Sequence, residues 1–198
     1  RPRYAIGVDA ALSLLCQRPP TMTRILHVLD HSLPTHSGYT FRTRALMKAQ
    51  VAKGWEVAGV TGVRHPEPGP DGETVDGLTF YRTPPTAPAM PVINEWREIG
   101  ALARRVEALA RDWNPDVLHA HSPVLGGLAA LRVGKKLGIP VIYEIRAFWE
   151  DASVGNGTGR EGSLRYRLTK MLETRAVKSA DAVAVICEGL RGDLIARG

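Results

Sequence analysis

The sequence predicts a doubly wound α/β fold on a mostly parallel sheet, and two observations predict it. From residue 23 onward, short apolar runs alternate with longer stretches of helical periodicity. The apolar runs are near-continuous rather than alternating, as in strands covered on both faces. Strands separated by helices imply parallel order and right-handed crossovers. Together these define a Rossmann-like sheet, in which ligands sit beyond the carboxyl ends of the strands.

The elements follow in order. Arg24 to Leu29 reads as a buried strand. Tyr39 to Lys53 reads as a helix with Phe41, Ala45, Ala49 and Ala52 on its inward face, stopped by Gly54. Trp55 to Thr61 is a second strand. Residues 64–72 are turn chemistry, and Asp76-Gly77 between short apolar runs signals a hairpin whose second arm is Leu78 to Arg82. A Pro-rich link follows, with Pro84, Pro85, Pro88 and Pro91. Residues 93–112 form the clearest helix, striped by Trp96, Ile99, Ala103, Val106, Ala110 and Trp113. Asp116–Ala120 is a strand, Pro123–Leu137 a helix stopped by Gly138, and Pro140–Ile145 a strand. Residues 146–162 read as a loop. Ser163–Ser179 is a helix with Leu164, Leu168, Met171, Leu172 and Ala176 inward. Ala182–Ile186 is the last strand and Leu190–Arg197 the last helix, with Gly198 at its stop.

The bulk numbers agree with one globular domain. The chain has 198 residues, 44% of them hydrophobic and 23% charged. A net charge of +6 favours phosphate-bearing partners. Nucleic acid is not expected, because there is no long Lys/Arg run and few aromatics interleave with the basic residues. Cys16 and Cys187 form no paired motif, which fits a reduced, cytoplasmic setting. Tyr4 to Leu15 is apolar but short, and Asp9 interrupts it, so it is no membrane span. Arg1 and Arg3 would suit an export signal, but Gln17-Arg18-Pro19-Pro20 is a poor cleavage region. Residues 1–22 are expected to be an upstream extension outside the fold, and 23–198 the domain.

The chemistry is expected in the loops after the strands. Residues 30–38 join the first strand to the first helix. Gly38 lies at the start of that helix, where backbone N–H groups and the helix dipole can face a phosphate or diphosphate. The plainer reading is a turn with Ser37 capping the helix. His119 and His121 are two apart and share one side of their strand. A metal site would need further ligands that the sequence does not offer as a cluster, so no metal is expected. The preferred division makes His119 a core histidine and places His121, beside Ser122-Pro123, at the carboxyl edge where it meets a ligand. The alternative for His121 is a turn residue. Glu144 to Asp151 puts charges and aromatics just past a buried strand: Trp149 can stack on a sugar face and Glu150 can bind hydroxyls, or Phe148 and Trp149 anchor a loop. Gly157-Thr158-Gly159-Arg160-Glu161-Gly162 spells the dinucleotide fingerprint, but about ten residues separate it from its strand, whereas the fingerprint follows directly.

Several segments resemble one family. Thr23–Val28 with Ser37-Gly38, Pro115–Ser122 and Ser179–Leu190 are similar to family-4 glycosyltransferases of the two-domain GT-B fold. Tyr143–Asp151 and Glu161–Tyr166 resemble the bacterial exosortase-associated, exopolysaccharide-type branch. The likeness covers residues 23–198. It implies a retaining, metal-independent, hexosyltransferase-like transfer of a sugar from a nucleotide-sugar donor to a glycan or lipid-linked acceptor. It implies that this domain is the acceptor side, that Ser37, Gly38 and Tyr39 approach the donor diphosphate, and that His121 lies near the reacting sugar. Ser122, Arg146, Trp149 and Glu150 are the expected acceptor contacts. The chain departs from the pattern in having one glycine in its first loop, where many members have a pair, and Arg146-Ala147 where relatives often have a His-Gly-like pair. The family's donor-binding C-terminal domain would start just after Gly198, so this chain alone is not expected to turn over. The other readings are a dinucleotide-dependent oxidoreductase resting on residues 157–162, a non-catalytic sugar- or nucleotide-binding module, and a nucleotide-sugar epimerase. Basic helices, with Arg104, Arg105 and Arg111 or with Arg165, Arg167 and Lys170, either rest peripherally on the inner membrane or are solvated faces.

Overall fold

A computed structural model describes residues 22–66, 70–87, 90–157 and 159–197. The expected extension (apart from Met22), Pro88 in the Pro-rich link, Thr158 of the glycine motif and the Gly198 stop lie outside the described residues. Seven strands form one sheet: β1 (Arg24–Leu29), β2 (Glu56–Thr61), β3 (Glu73–Val75), β4 (Leu78–Arg82), β5 (Val117–His121), β6 (Val141–Ile145) and β7 (Ala182–Val185). Their order is β3-β4-β2-β1-β5-β6-β7. Every pairing is parallel except that of the edge strand β3 with β4. The fold expectation holds. The β3–β4 turn uses Asp76 and Gly77, both at positive φ (54° and 70°), the conformation that an Asp-Gly hairpin requires.

Among the described residues six helices flank the strands: α1 (Gly38–Ala52), α2 (Pro91–Trp113), α3 (Val124–Leu137), α4 (Trp149–Gly155), α5 (Leu164–Ser179) and, after the last strand, α6 (Glu188–Ala196). The chain runs from β1 to β2 and β4 on one side, then crosses back through α2 to β5 on the other. The strand order therefore reverses between β1 and β5, and a crevice opens there at the carboxyl edge.

Two apolar clusters cover the two faces. The larger joins Leu26, Val28, Leu118, Ala120 and Tyr143 to α2, α3 and α5. The smaller joins Leu29, Leu78 and Phe80 to Met47 of α1. On the larger side the helices sit very close to the sheet. A Cβ at Gly134 would lie 2.6 Å from the Ile139 carbonyl oxygen, so only glycine lets α3 turn into β6 at this distance.

Three expectations are corrected. The inward face of α1 is Thr40, Thr43, Met47 and Gln50, while Phe41, Ala45 and Ala49 are exposed. The inward face of α5 is Glu173, Ala176 and Val177, with Leu172 half-buried, while Leu164, Leu168 and Met171 face solvent. The segment 146–162 is not all loop, because it contains α4. In the first two cases the apolar stripe points the wrong way because the surface beneath the helix carries buried polar groups, described next.

Candidate active site at the carboxyl edge

Alternation along the strands builds the site. Leu26 and Val28 face the larger core, so His27 points to the opposite side, under α1. The same logic sends His119, His121 and Glu144 to that side. The register sets His27 beside His119 and His121 beside Glu144. His27, His121 and Glu144 are buried to 3% exposure or less, and His119 to 7%.

Arg146, just past β6, organises these groups. Its Nη2 donates to His121 Nδ1 (2.8 Å), its Nη1 to the Tyr39 carbonyl (2.9 Å) and Thr43 Oγ1 (2.8 Å), and its Nε to Glu144 Oε1 (3.0 Å). Its backbone N–H donates to Ser122 Oγ at 3.0 Å, and its guanidinium lies over the Tyr39 ring at 4.3 Å. Arginine can only donate, and that fixes a direction. His121 Nδ1 accepts from Arg146, so its Nε2–H donates to His27 Nδ1 at 2.9 Å, and His27 Nε2–H donates to Gln50 Oε1 at 2.8 Å. A buried chain of one-way hydrogen bonds thus runs from Arg146 to α1.

The chain holds both imidazoles neutral. Burial lowers His121 to about 3, with His119 adding to the effect and Glu144 opposing it. Burial, then His119 and His121, lower His27 well below its ordinary value. Burial pushes the Glu144 carboxyl up, but the imidazoles of His119 and His121 bring it well below the usual carboxylate range. His119 Nε2 lies 3.4 Å from Glu144 Oε2, while Arg42 Nε donates to Oε1 at 3.1 Å from a half-exposed side chain. His27, His119 and His121 present nitrogens within 4.8 Å of one another. The closest pair faces head-on at hydrogen-bond distance and shares a proton.

The first loop is braced separately. His31 links Asp30 (Nδ1 to Oδ2, 3.0 Å) to Ser37 (Nε2 to Oγ, 2.8 Å). Ser37 Oγ accepts the Thr40 N–H and so caps α1. The Asp30 N–H donates to the Tyr39 hydroxyl at 3.2 Å. Burial holds that hydroxyl well above the ordinary tyrosine range. A Cβ built on Gly38 meets nothing within 4 Å, so open space lies beside Gly38, whereas Thr40 in the same turn is buried.

The structure therefore gathers Ser37, Gly38, Tyr39, His121, Ser122 and Arg146 at one place. Trp149 and Glu150 stand apart. Trp149 opens α4 with Arg64 over its ring at 5.5 Å. Glu150 is 1% exposed and its Oε1 accepts from Arg197, so it is an internal counter-ion rather than a group presented to a ligand. His121 is likewise fully buried, with both ring nitrogens engaged, and does not stand open at the edge. His119 does lie in the interior, as expected. Sequence reasoning missed His27, Gln50 and Arg42. The available signal was a histidine inside an otherwise apolar strand. The glycine motif at 157–162 follows α4 and not a strand, so it is not the dinucleotide fingerprint.

Stability should depend on pH in a definite way. The neutral folded imidazoles of His27 and His121 contribute stability that is present above pH 6.5, their ordinary value, and lost as pH falls below it, for His121 through about 3. Glu173 acts oppositely. Burial, despite a 2.6 Å hydrogen bond from Tyr143, raises it from 4.5 to about 7. Its contribution is fully present below 4.5 and lost as pH rises through about 7. Between these values these two imidazoles outweigh the one carboxyl by roughly one proton, or about 1.4 kcal/mol per pH unit, and the partly buried His65, which burial lowers to about 4, adds to the same acid limb. Urea midpoints should peak near neutrality and fall toward pH 4.5. Glu173→Gln should flatten the limb near pH 7 and steepen the acid limb. Midpoints that keep rising through pH 8 would contradict the protonated Glu173.

Such a sheet, with a polar site where its strand order reverses, is a Rossmann-like fold that matches the halves of GT-B proteins. The chain belongs to the glycosyl transferase 4-like domain family, which matches residues 37–198. It is similar in structure to sucrose-phosphate synthase from Thermosynechococcus elongatus, with TM-score 0.66 and 16% identity over 88% of this chain and 45% of that one. It is also similar to UDP-GlcNAc 2-epimerase from Methanocaldococcus jannaschii, with TM-score 0.54 and 12% identity over 89% of this chain and 43% of that one. The chain thus spans less than half the length of either. No curated protein matches it.

Proposed function

We propose that this chain is the N-terminal, acceptor-side half of a retaining glycosyltransferase, working with a donor-binding half to move a hexosyl unit from a nucleotide-sugar to a glycan or lipid-linked acceptor. One observation carries the reading. The start of α1, with Ser37, Gly38 and Tyr39, opens at the carboxyl edge beside the β1–β5 switch point. Its first-turn N–H groups and dipole suit a diphosphate, and the half-exposed Arg42 adds a cation. A retaining transfer passes through an oxocarbenium-like state, and these groups oppose the charge that develops on the leaving diphosphate. No metal is needed for that task. His121 acts through Arg146, positioning Tyr39 and Ser122. Direct contact with the reacting sugar would require its Nε2 to leave His27. Ser122 and Arg146 border the acceptor side. The resemblance of Tyr143–Asp151 and Glu161–Tyr166 supports a role in bacterial exopolysaccharide synthesis in the cytoplasm.

Gly38 gives a clean test. Alanine there meets no atom and should leave stability unchanged or slightly raised. It places a methyl group over the first turn, so affinity for a nucleoside diphosphate should fall by about tenfold or more, the loss of roughly one charge-assisted hydrogen bond. Calorimetry on the protein and on Gly38→Ala checks it. Equal affinities would remove the diphosphate from α1.

A further inference from the structure

We propose that the outer face of α5 is a docking surface for an anionic lipid bilayer. Leu164, Leu168 and Met171 recur along one line of this helix and are 85%, 36% and 58% exposed. Soluble domains rarely leave such a stripe uncovered without use. Around it stand the exposed Arg167, Lys170, Arg175 and Lys178. The only acid of the helix is Glu173, which is fully buried against Tyr143. The exposed face is therefore apolar and cationic with no negative charge. That pattern suits insertion of aliphatic side chains at the headgroup boundary, with lysine and arginine on the phosphates.

The other basic helix does not offer this. On α2, Arg105 is paired with Asp71 and lies over Tyr81, and Arg111 is paired with Glu107. Arg165 lies 3.7 Å from Glu95 near the start of α2, where Ile93 and Trp96 are 52% and 60% exposed. Exposed tryptophan at the rim of such a patch suits the bilayer interface. On the other flank, Arg132 and Lys135 of α3 line a groove together with Arg175. The stripe occupies the end of α5 that follows the carboxyl edge of β6, the edge that carries the candidate site. The surface goes beyond the transferase reading and does not depend on it.

The test is co-sedimentation of the protein with vesicles of phosphatidylcholine alone or with about one third phosphatidylglycerol. Binding is expected to the anionic vesicles only, and to weaken severalfold when salt rises from about 0.1 M to about 0.5 M. Arg167→Gln/Lys170→Gln/Arg175→Gln/Lys178→Gln should weaken binding by about fivefold per cation removed. Leu164→Ser/Leu168→Ser/Met171→Ser should weaken it independently of salt. All seven side chains are exposed, so circular dichroism and urea midpoints of both variants should match the parent. Equal binding to both vesicle types, no binding to either, or full binding by either variant would overturn the proposal. So would a dimer abolished by the serine variant, which would make the stripe a contact between copies. Vesicle binding is read without donor or acceptor, so its failure is distinguishable from failure of sugar transfer.

Discussion

Arg146→Met should destabilise the fold by about 3–5 kcal/mol, the range found when one partner of a buried ion pair is removed. The side chains of Arg146 and Glu144 are 8% and 5% exposed. The substitution leaves Glu144 with the half-exposed Arg42 as its one remaining arginine partner. It also takes one donor from the Tyr39 carbonyl, which keeps the Thr43 hydroxyl, and the donor from Thr43 Oγ1 and His121 Nδ1. Adding Glu144→Gln should recover part of the loss, because the uncompensated charge is then gone. His121 Nδ1, freed of Arg146, can take a proton facing Glu144 Oε2 at 3.7 Å, so the acid limb of the stability profile should also move. Urea denaturation of the single variants and the double variant measures all of this. A loss below about 1 kcal/mol would place Arg146 with ordinary surface pairs.

His27→Leu should cost about 2–5 kcal/mol by a different route. Leucine fills much of the space but neither donates nor accepts. Gln50 Oε1 loses its donor and the His121 Nε2–H loses its acceptor, both in the interior. Each buried group left alone costs about 1–3 kcal/mol. His27→Leu/Gln50→Leu should regain roughly the Gln50 share, and the acid limb should become shallower by about one proton. If His27→Leu were neutral, the directed chain from Arg146 to Gln50 would have no energetic standing.

These two residues also mark the limit of what the sequence could tell. Apart from α4, strand and helix positions were legible to within a residue or two, because apolar runs, glycine stops and the Asp-Gly hairpin act locally. The faces of α1 and α5 were not. Periodicity assigns apolar residues inward, yet α1 turns Thr43 toward Arg146 and Gln50 toward His27, and α5 turns Glu173 toward Tyr143. Those polar groups are buried because partners on distant strands satisfy them, and the pairing register that brings the partners together cannot be read from one segment. The same holds for the site. Ser37, Gly38, His121 and Arg146 were found from strand ends and loops, whereas His27 was hidden in a strand read as apolar. Glu150 was misjudged because its partner, Arg197, lies 47 positions away.

The most direct test of the central claim is a transfer assay on the protein with its donor-binding half, supplied with nucleotide-sugars and candidate acceptors. The expected result is release of nucleoside diphosphate, a sugar on the acceptor with its anomeric configuration retained, and no turnover by this chain alone. A sugar that stays on the nucleotide as its epimer, or a reaction that consumes a nicotinamide cofactor, would contradict it.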